Sequence, residues 1–159
     1  IYVYIYIYVC IYEIITTIDD EQIVEYVKEI NGVKVYNDSK ATNVKATEIA
    51  LSSFNEPTIL LLGGLDRGHS FEPLNPYLNN VSSICCYGET KERIKEWAKS
   101  LNKDCYIFNN LEEATNYAYK ISKENSIILL SPACASWDQY KCFEDRGVEF
   151  KNIVRGLRI

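Results

Sequence analysis

The chain of 159 residues contains no methionine, even at position 1, and only one histidine, His69. A single histidine is too few for a His-rich metal site, and it can act as general base for at most one Ser or Cys nucleophile. We therefore expect no metal site held by this chain alone. The missing initiator methionine predicts that the chain is a piece of a longer product.

Basic residues are also in short supply. The 17 Lys and Arg face 22 Asp and Glu, so the formal net charge is -5 and the isoelectric point is about 5.0. A protein that binds a phosphate backbone needs clustered Lys and Arg to release counterions. The composition therefore excludes nucleic acid as an expected partner.

No stretch has the features of a membrane span or an export signal. The most apolar run, residues 1–14, is short and rich in tyrosine, whereas a spanning helix needs roughly 20 apolar residues. The run also lacks the basic start and small-residue cleavage site of a signal peptide. We expect a cytoplasmic protein with no membrane partner.

Residues 1–20 form a low-complexity leader in which Ile or Val alternates with Tyr2, Tyr4, Tyr6 and Tyr8. Both faces of such a strand would be apolar or aromatic, which makes a free strand prone to aggregation. The pattern is also that of a translated simple repeat, which would make the leader non-native. Residues 21–159 then hold the domain.

None of the six cysteines belongs to a Cys-x-x-Cys pair, and several lie in apolar, strand-like runs: Cys10, Cys85, Cys86, Cys105, Cys134 and Cys142. A thiol in such a run packs as a small hydrophobe. This pattern favours buried free thiols in a reducing compartment over a disulfide framework.

From residue 33 onward, short β-branched runs alternate with segments of helical periodicity. The expected strands are residues 33–36, 58–62, 83–87, 105–108 and 126–130. Alternation of this kind predicts right-handed βαβ units, and hence an α/β fold, a Rossmann-like three-layer sandwich with a mainly parallel sheet. Residues 19–31 fit either a lead-in helix or a hairpin.

Apolar stripes at helical spacing mark four helices, around residues 46–54, 94–101, 111–121 and 150–157. We interpret these stripes as core. Polar residues ahead of each stripe are the expected N-caps: Thr42 or Asn43, Thr90, Asn110 with Glu113, and Ser136 or Asp138.

Three polar loops follow expected strands, at residues 37–43, 63–68 and 131–141. The carboxyl ends of parallel strands meet at one edge of a sheet, where open α/β folds bind their ligands. The sequence therefore predicts one ligand site built from these loops.

The second loop contains Gly-x-x-x-x-Gly, as a phosphate-binding P-loop does, but His69 stands in place of the lysine. Pro73 and Pro76 exclude the long helix that completes a P-loop. A tight turn that aims Asp66 and Arg67 explains the glycines better. Arg67 offers a planar fork suited to a carboxylate, and the alternative is a surface ion pair between Asp66 and Arg67.

In the other two loops, capping uses too few groups to explain Asp38 and Lys40. Cys134, between two alanines, is interpreted as a packed thiol, because no histidine lies near it in sequence. Four donors remain that suit a small dianionic or amino-acid ligand: Lys40, Thr42, Arg67 and Ser136.

Four motifs occur in order: Asn-Asp-Ser-Lys-Ala-Thr-Asn at 37–43, Gly-Gly-Leu-Asp-Arg-Gly at 63–68, Ser-Pro-Ala-Cys-Ala-Ser-Trp-Asp-Gln-Tyr-Lys at 131–141 and Phe-Glu-Asp-Arg-Gly at 143–147. Together they resemble the C-terminal domain of the D-glutamate-adding Mur ligases, from about Glu25 to the C-terminus. The resemblance implies a three-domain, ATP-dependent, ADP-forming amide ligase of peptidoglycan synthesis. In such a ligase the carboxylate of UDP-N-acetylmuramoyl-L-alanine is phosphorylated, and the amine of D-glutamate attacks the acyl phosphate.

The resemblance also implies roles for individual residues. Lys40 would be catalytic, adding positive charge near the reacting groups, and Asp38 would approach the nucleotide when the domain closes. ATP and Mg²⁺ would be bound mainly by a central domain. The D-glutamate carboxylates would be held by Thr42, Arg67 and Ser136, with Phe143 nearby.

One departure from the family pattern stands out. Gln22-Ile23 occupies the place of a His-Arg pair, so a nucleotide-contacting arginine is expected to be lost. Without the UDP-binding and ATPase domains, this polypeptide alone is predicted to be inactive. Two alternatives remain: a free-standing module that binds an amino acid or dicarboxylate, and a fragment that folds but binds nothing.

Overall fold

The computed structural model describes residues 24–157. The predicted leader, Cys10 and the Gln22-Ile23 pair lie outside the described residues. The described chain forms a six-stranded sheet in the order β1-β2-β6-β3-β4-β5, with strands β1 (Glu25–Ile30), β2 (Val33–Asn37), β3 (Thr58–Gly63), β4 (Val81–Tyr87), β5 (Asp104–Ile107) and β6 (Ile127–Leu130). Every neighbouring pair is parallel except β1 and β2. The mainly parallel α/β prediction is confirmed.

The first two strands form an antiparallel hairpin, which resolves the choice that the sequence left open for this segment. Asn31 and Gly32 form the turn, with φ values of 50° and 75°. Positive φ at both central residues is typical of the two-residue turn that matches the twist of paired strands, and Asn-Gly is its commonest sequence. The hairpin adds an antiparallel edge to the sheet.

Within residues 24–157, four helices flank the sheet: α1 (Val44–Ser52), α2 (Lys91–Ser100), α3 (Leu111–Ile121) and α4 (Phe143–Gly156); a 3-10 segment covers Glu72–Tyr77. The β-strand alternation divides the core into two layers. On one face Leu60, Leu62 and Ile84 pack with side chains of α1, α2 and the 3-10 segment. On the other face Leu61 and Leu130 pack with side chains of α3 and α4. This is the expected three-layer sandwich.

The expected caps hold at two of the four helices. The Asn43 side chain accepts a hydrogen bond from the Ala46 N–H (2.9 Å), and the Asn110 side chain accepts one from the Glu113 N–H (2.9 Å). Thr90 occupies the predicted N-cap position of α2, but its hydroxyl makes no capping bond and lies instead against the backbone of Gly64.

The last helix also begins differently from the prediction. Its N-cap position is Cys142, and neither Ser136 nor Asp138 caps it. Asp138 instead accepts a hydrogen bond from the Glu89 N–H (3.2 Å). The predicted cap therefore links the third loop to the end of β4.

The five cysteines within the described residues are free thiols: Cys85, Cys86, Cys105, Cys134 and Cys142. Burial raises the pKa of Cys85 to about 12. Within the same residues, no helix is both long enough and apolar enough to cross a membrane.

Candidate ligand-binding site at the carboxyl edge of the sheet

The three polar loops meet at the carboxyl ends of β2, β6 and β3, which are neighbours in the sheet. Backbone hydrogen bonds join them. The Asp38 N–H donates to the Leu130 carbonyl (2.7 Å), and the Gly63 N–H donates to the Pro132 carbonyl (3.0 Å). The Leu65 N–H donates to the carbonyl of Ala135 (2.9 Å). The predicted convergence of the loops is present.

Two cavities lie at this edge, separated by the first residues of α4. The larger, of about 350 Å³, is lined by Thr42, Arg67, Ala135, Ser136, Trp137, Cys142, Phe143 and Glu144. The smaller, of about 260 Å³, includes Asp38 and Lys40 in its lining, and shares Phe143 and Glu144 with the larger. We call the larger one the Arg67 cleft. It contains Thr42, Arg67, Ser136 and Phe143, whereas Asp38 and Lys40 lie on the other side of the α4 start.

The Ser136 hydroxyl is the most unusual polar group of the Arg67 cleft. Ser136 is only 2% exposed, and its Oγ has no hydrogen-bond partner within the described residues. Leaving a buried hydroxyl unpaired costs about 1–3 kcal/mol. Such an atom in the wall of a cleft is a candidate donor to a ligand.

Arg67 packs against the neighbouring Trp137, with its guanidinium carbon 4.8 Å from the centroid of the indole ring. The predicted alternative, an Asp66 to Arg67 pair, was wrong. Asp66 pairs with Arg93 (2.5 Å), and it also accepts a hydrogen bond from the Gly68 N–H (2.8 Å). Arg67 is therefore available to the cleft.

The paired glycines at the end of β3 allow the loops to approach this closely. Gly63 and Gly64 have φ values of 136° and 150°, which side chains rarely adopt. A Cβ on Gly63 would lie 2.1 Å from the Tyr87 carbonyl oxygen, and one on Gly64 would lie 2.4 Å from the Ala135 carbonyl oxygen. Glycine is therefore needed here for two reasons: the turn requires positive φ, and neighbouring backbone atoms leave no room for a Cβ.

Arg146 connects the loops from beneath, although the sequence motif gave it no role. The side chain of Arg146 is fully buried. Its Nε donates a hydrogen bond to Ser39 Oγ (2.9 Å) and its Nη2 donates one to the Ser39 carbonyl (2.8 Å), both in the first loop. Its Nη1 donates to the Cys134 carbonyl (3.0 Å) in the third loop. Ser39 Oγ in turn donates to the Phe143 carbonyl (2.7 Å). One guanidinium thus ties the first and third loops to α4. The sequence carries one signal for this buried role: Arg146 lies four residues before Phe150, so it shares the apolar face of α4.

Asp38 reaches the third loop through its side chain. The Ser131 hydroxyl donates to Asp38 Oδ2 (2.9 Å), and Asp38 is 3% exposed. One carboxylate oxygen of the residue predicted to approach the nucleotide is therefore used inside the fold.

His69 and Cys134 come together in the structure, although they are 65 positions apart in sequence. Cys134 Sγ lies 3.9 Å from His69 Nε2. Burial raises the pKa of Cys134 to about 11, while burial and the nearby Arg93 lower the pKa of His69. Both shifts favour the neutral pair, whereas an activated cysteine is a thiolate beside an imidazolium. These shifts support the packed-thiol interpretation.

Sequence reasoning gave no role to two other side chains that line the Arg67 cleft, Trp137 and Glu144. Trp137 is 62% exposed within a loop that is otherwise small and polar. A tryptophan in a loop of small and polar residues is the sequence signal that could have indicated a binding role. No cluster of three or more His, Cys, Asp or Glu residues suited to a metal occurs in residues 24–157.

Comparison with known proteins identifies the family. Residues 24–134 match the family described as Mur ligase, glutamate ligase domain. The UDP-N-acetylmuramoylalanine--D-glutamate ligase of Latilactobacillus sakei subsp. sakei (strain 23K) is 50% identical over 150 residues, 92% of this chain and 33% of the relative. The ligase of the same name from Bacillus subtilis (strain 168) is 47% identical over 135 residues, 84% of this chain and 30% of the relative.

A solved structure shares the fold. The crystal structure of a murein peptide ligase from Psychrobacter arcticus 273-4 aligns with a TM-score of 0.59 at 11% identity, and covers 87% of this chain and 31% of that one. The chain thus spans about a third of the length of the curated relatives it matches. From the family match and these identities, the chain belongs to the Mur ligase family, within its glutamate ligase domain.

Proposed function

We propose that the chain is the D-glutamate-binding domain of an ADP-forming ligase that joins D-glutamate to UDP-N-acetylmuramoyl-L-alanine in peptidoglycan synthesis. The observation that carries the proposal is the Arg67 cleft, where Thr42, Arg67, Ser136 and Phe143 come together. Relatives 47% and 50% identical to the chain bear the name of that ligase. Further domains would bind the UDP-linked acceptor, ATP and Mg²⁺.

The cleft is chemically complementary to D-glutamate, which carries two carboxylates and one ammonium. Arg67 offers a fork of N–H groups, and the Ser136 and Thr42 hydroxyls offer single donors. The Glu144 carboxylate can accept hydrogen bonds from the ammonium. A cavity of about 350 Å³ suits a small ligand.

The catalytic contribution of this domain is orientation and charge balance. Holding both carboxylates fixes the direction of the amine, so that its attack on the activated acceptor becomes effectively unimolecular. Phe143, which also lines the cleft, would shield part of the ligand from water. No covalent intermediate with this domain is required.

Lys40 and Asp38 act from the neighbouring cavity in this proposal. The Lys40 ammonium would stabilise negative charge that develops near the acceptor. Asp38, whose Oδ2 accepts a hydrogen bond from Ser131, would lie on the side of the domain that faces the nucleotide. ATP would supply the phosphoryl group that activates the acceptor, and Mg²⁺ would be held mainly by the central domain.

The direct test is to titrate D-glutamate into the purified chain and to measure the NMR chemical shifts of the backbone amides. Saturable shifts at Thr42, Arg67 and Ser136 are expected. Arg67→Ala should weaken binding roughly 10- to 150-fold, because an arginine to carboxylate contact is lost. Arg155→Ala is the matched control, since Arg155 is exposed at the end of α4. No shift at millimolar D-glutamate would contradict binding by this chain alone.

Activity is tested by fusing the chain to the N-terminal and central domains of a related ligase. Restored ligation that depends on Arg67 would support the ligase. Because the Arg67 cleft lies wholly within this chain, binding without ligation would instead favour the free-standing module. The free thiols agree with a reducing cytoplasm as the site of action.

A further inference from the structure

Packing in the core does not explain the large indole side chain at Trp137. It is 62% exposed, directly follows Ser136 in the sequence and lines the Arg67 cleft. Burial of this ring therefore contributes little to the fold. The Arg67 guanidinium carbon lies over the ring, 4.8 Å from its centroid, within the range of an attractive cation–π contact.

The shape of the guanidinium lets it contact the indole and a ligand together. Its flat face can lie on an aromatic ring, while its five N–H groups point outward in the plane. A carboxylate binds at that edge and does not compete with the ring. A lysine ammonium, which has no separate face and edge, could not divide its contacts in this way.

Within the described residues, no acidic side chain competes with the indole for the Arg67 guanidinium. Asp66, the adjacent carboxylate, is paired with Arg93. Within residues 24–157, Arg67 makes no hydrogen bond or ion pair. The cation–π contact with Trp137 is therefore the described interaction that restrains this long side chain beside the cleft.

The unpaired hydroxyl of Ser136 supplies a second donor in the same wall. Ser136 is 2% exposed and lacks a partner within the described residues, and it adjoins Trp137 along the chain. A carboxylate between Arg67 and Ser136 would satisfy both groups.

We infer that Trp137 is a positioning residue, whose indole holds the Arg67 guanidinium with its N–H edge free to share a ligand carboxylate with the Ser136 hydroxyl. The identity of the ligand rests on the proposed function, whereas the restraint on Arg67 does not. The role is separate from substrate contact, because the indole acts through Arg67.

The first test needs no ligand. In the free chain, the indole ring current should shift the Arg67 Nε–Hε signal, and ¹⁵N relaxation should report a restrained side chain. Trp137→Ala should abolish the ring-current shift and increase the mobility of Arg67, whereas Trp137→Phe should keep much of both. Trp97→Phe is the control, because Trp97 lies away from the cleft and donates to Asn75 (2.9 Å). An Arg67 signal with unchanged shift and mobility in Trp137→Ala would overturn the inference.

The second test measures the consequence for D-glutamate. Trp137→Ala should weaken its binding roughly two- to fivefold, the factor expected for an exposed cation–π contact. In an Arg67→Ala background, Trp137→Ala should cause no further loss, since coupled residues are not additive. A full additive loss would mean that Trp137 acts independently of Arg67, which contradicts the positioning role. If the unsubstituted chain binds no D-glutamate, the proposed function fails, and the ligand-free test still decides the role of Trp137.

Discussion

At the scale of single residues, the Arg67 cleft holds a buried hydroxyl that the described part of the fold leaves unpaired. The Ser136 hydroxyl has no partner within the described residues, whereas the hydroxyl of Ser126, also buried, donates to the Lys123 carbonyl (2.5 Å). A protein retains an unpaired buried hydroxyl at a cost of stability. The proposed binding of D-glutamate at the Arg67 cleft would offset this cost, because the ligand would accept the hydrogen bond of the hydroxyl.

Replacing Ser136 should therefore separate stability from binding. Ser136→Ala is expected to leave the free energy of unfolding unchanged or to raise it by up to about 1 kcal/mol, because an unsatisfied group is removed. The same change should weaken D-glutamate binding roughly three- to tenfold through loss of one donor. Urea unfolding and amide-shift titration measure the two effects.

The control for this prediction is Ser126→Ala, which removes a satisfied buried hydroxyl far from the cleft. It should lower the free energy of unfolding by about 1 kcal/mol and leave affinity unchanged. Clear destabilisation by Ser136→Ala would show that its hydroxyl has a partner in the folded chain.

Gly64 is the second position where a single residue decides the site. Gly64→Ala should lower the free energy of unfolding by more than about 2 kcal/mol, because the new Cβ would meet backbone at 2.4 Å and the residue has a φ of 150°. Gly156→Ala, at the end of α4 with nothing within 4 Å, should be neutral or slightly stabilising. Thermal melts of the two variants make the comparison, and equal melting temperatures would refute the close-approach argument.

At the scale of elements, α4 organises the loops through Arg146. This guanidinium bonds the first and third loops at once, whereas the helix itself packs on the sheet through Phe150 and Val154. The start of α4 also forms the partition between the two cavities. Movement of α4 would therefore change both cavities together.

Shortening this connection should loosen the loops while the sheet stays intact. Arg146→Lys keeps the charge but cannot reach three acceptors, so the Ser39 and Cys134 carbonyls lose partners. The expected loss is about 3 kcal/mol in the free energy of unfolding. Hydrogen exchange should quicken in residues 38–43 and 131–142 and stay slow in β3 and β4. Uniform quickening in the sheet as well would mean that Arg146 supports the whole core, not the loops.

The strands and helices could be predicted from the sequence, whereas one of the helix caps could not. The strands and stripes were predictable, because burial imposes periods of 2 and 3.6 on them. The Asn31-Gly32 dipeptide is itself a hairpin signal and favours the hairpin over a lead-in helix. Thr90 has the sequence of a cap, but its hydroxyl is engaged by Gly64, 26 positions away. Local sequence could not reveal that contact.

At the scale of the whole molecule, buried thiols link stability to pH. Burial raises the pKa of Cys85 to about 12 and that of Cys134 to about 11, from a model-compound value of 9.0. The folded chain then keeps protons that the unfolded chain releases, so these groups stabilise the fold below pH 9 and lose that contribution as pH rises.

The free energy of unfolding should therefore fall above pH 9, with each such thiol contributing a slope of at most about 1.4 kcal/mol per pH unit. Urea unfolding at pH 8, 9 and 10 with reductant measures the slope. Cys85→Ala should be less stable at pH 8 because of the lost packing, but its slope above pH 9 should be shallower. An identical slope in the variant would exclude Cys85 as a contributor.

The sequence by itself determined the layered α/β fold and which polar loops follow its strands, because strand and helix periodicity and the position of loops after strands are local properties. Only the tertiary structure decided which polar groups share the Arg67 cleft, that Arg67 faces Trp137 and not Asp66, and that Arg146 bonds to Ser39, 107 positions away. Those outcomes depend on contacts between distant segments, and the energy of each contact is set by burial and geometry that no neighbouring residues encode.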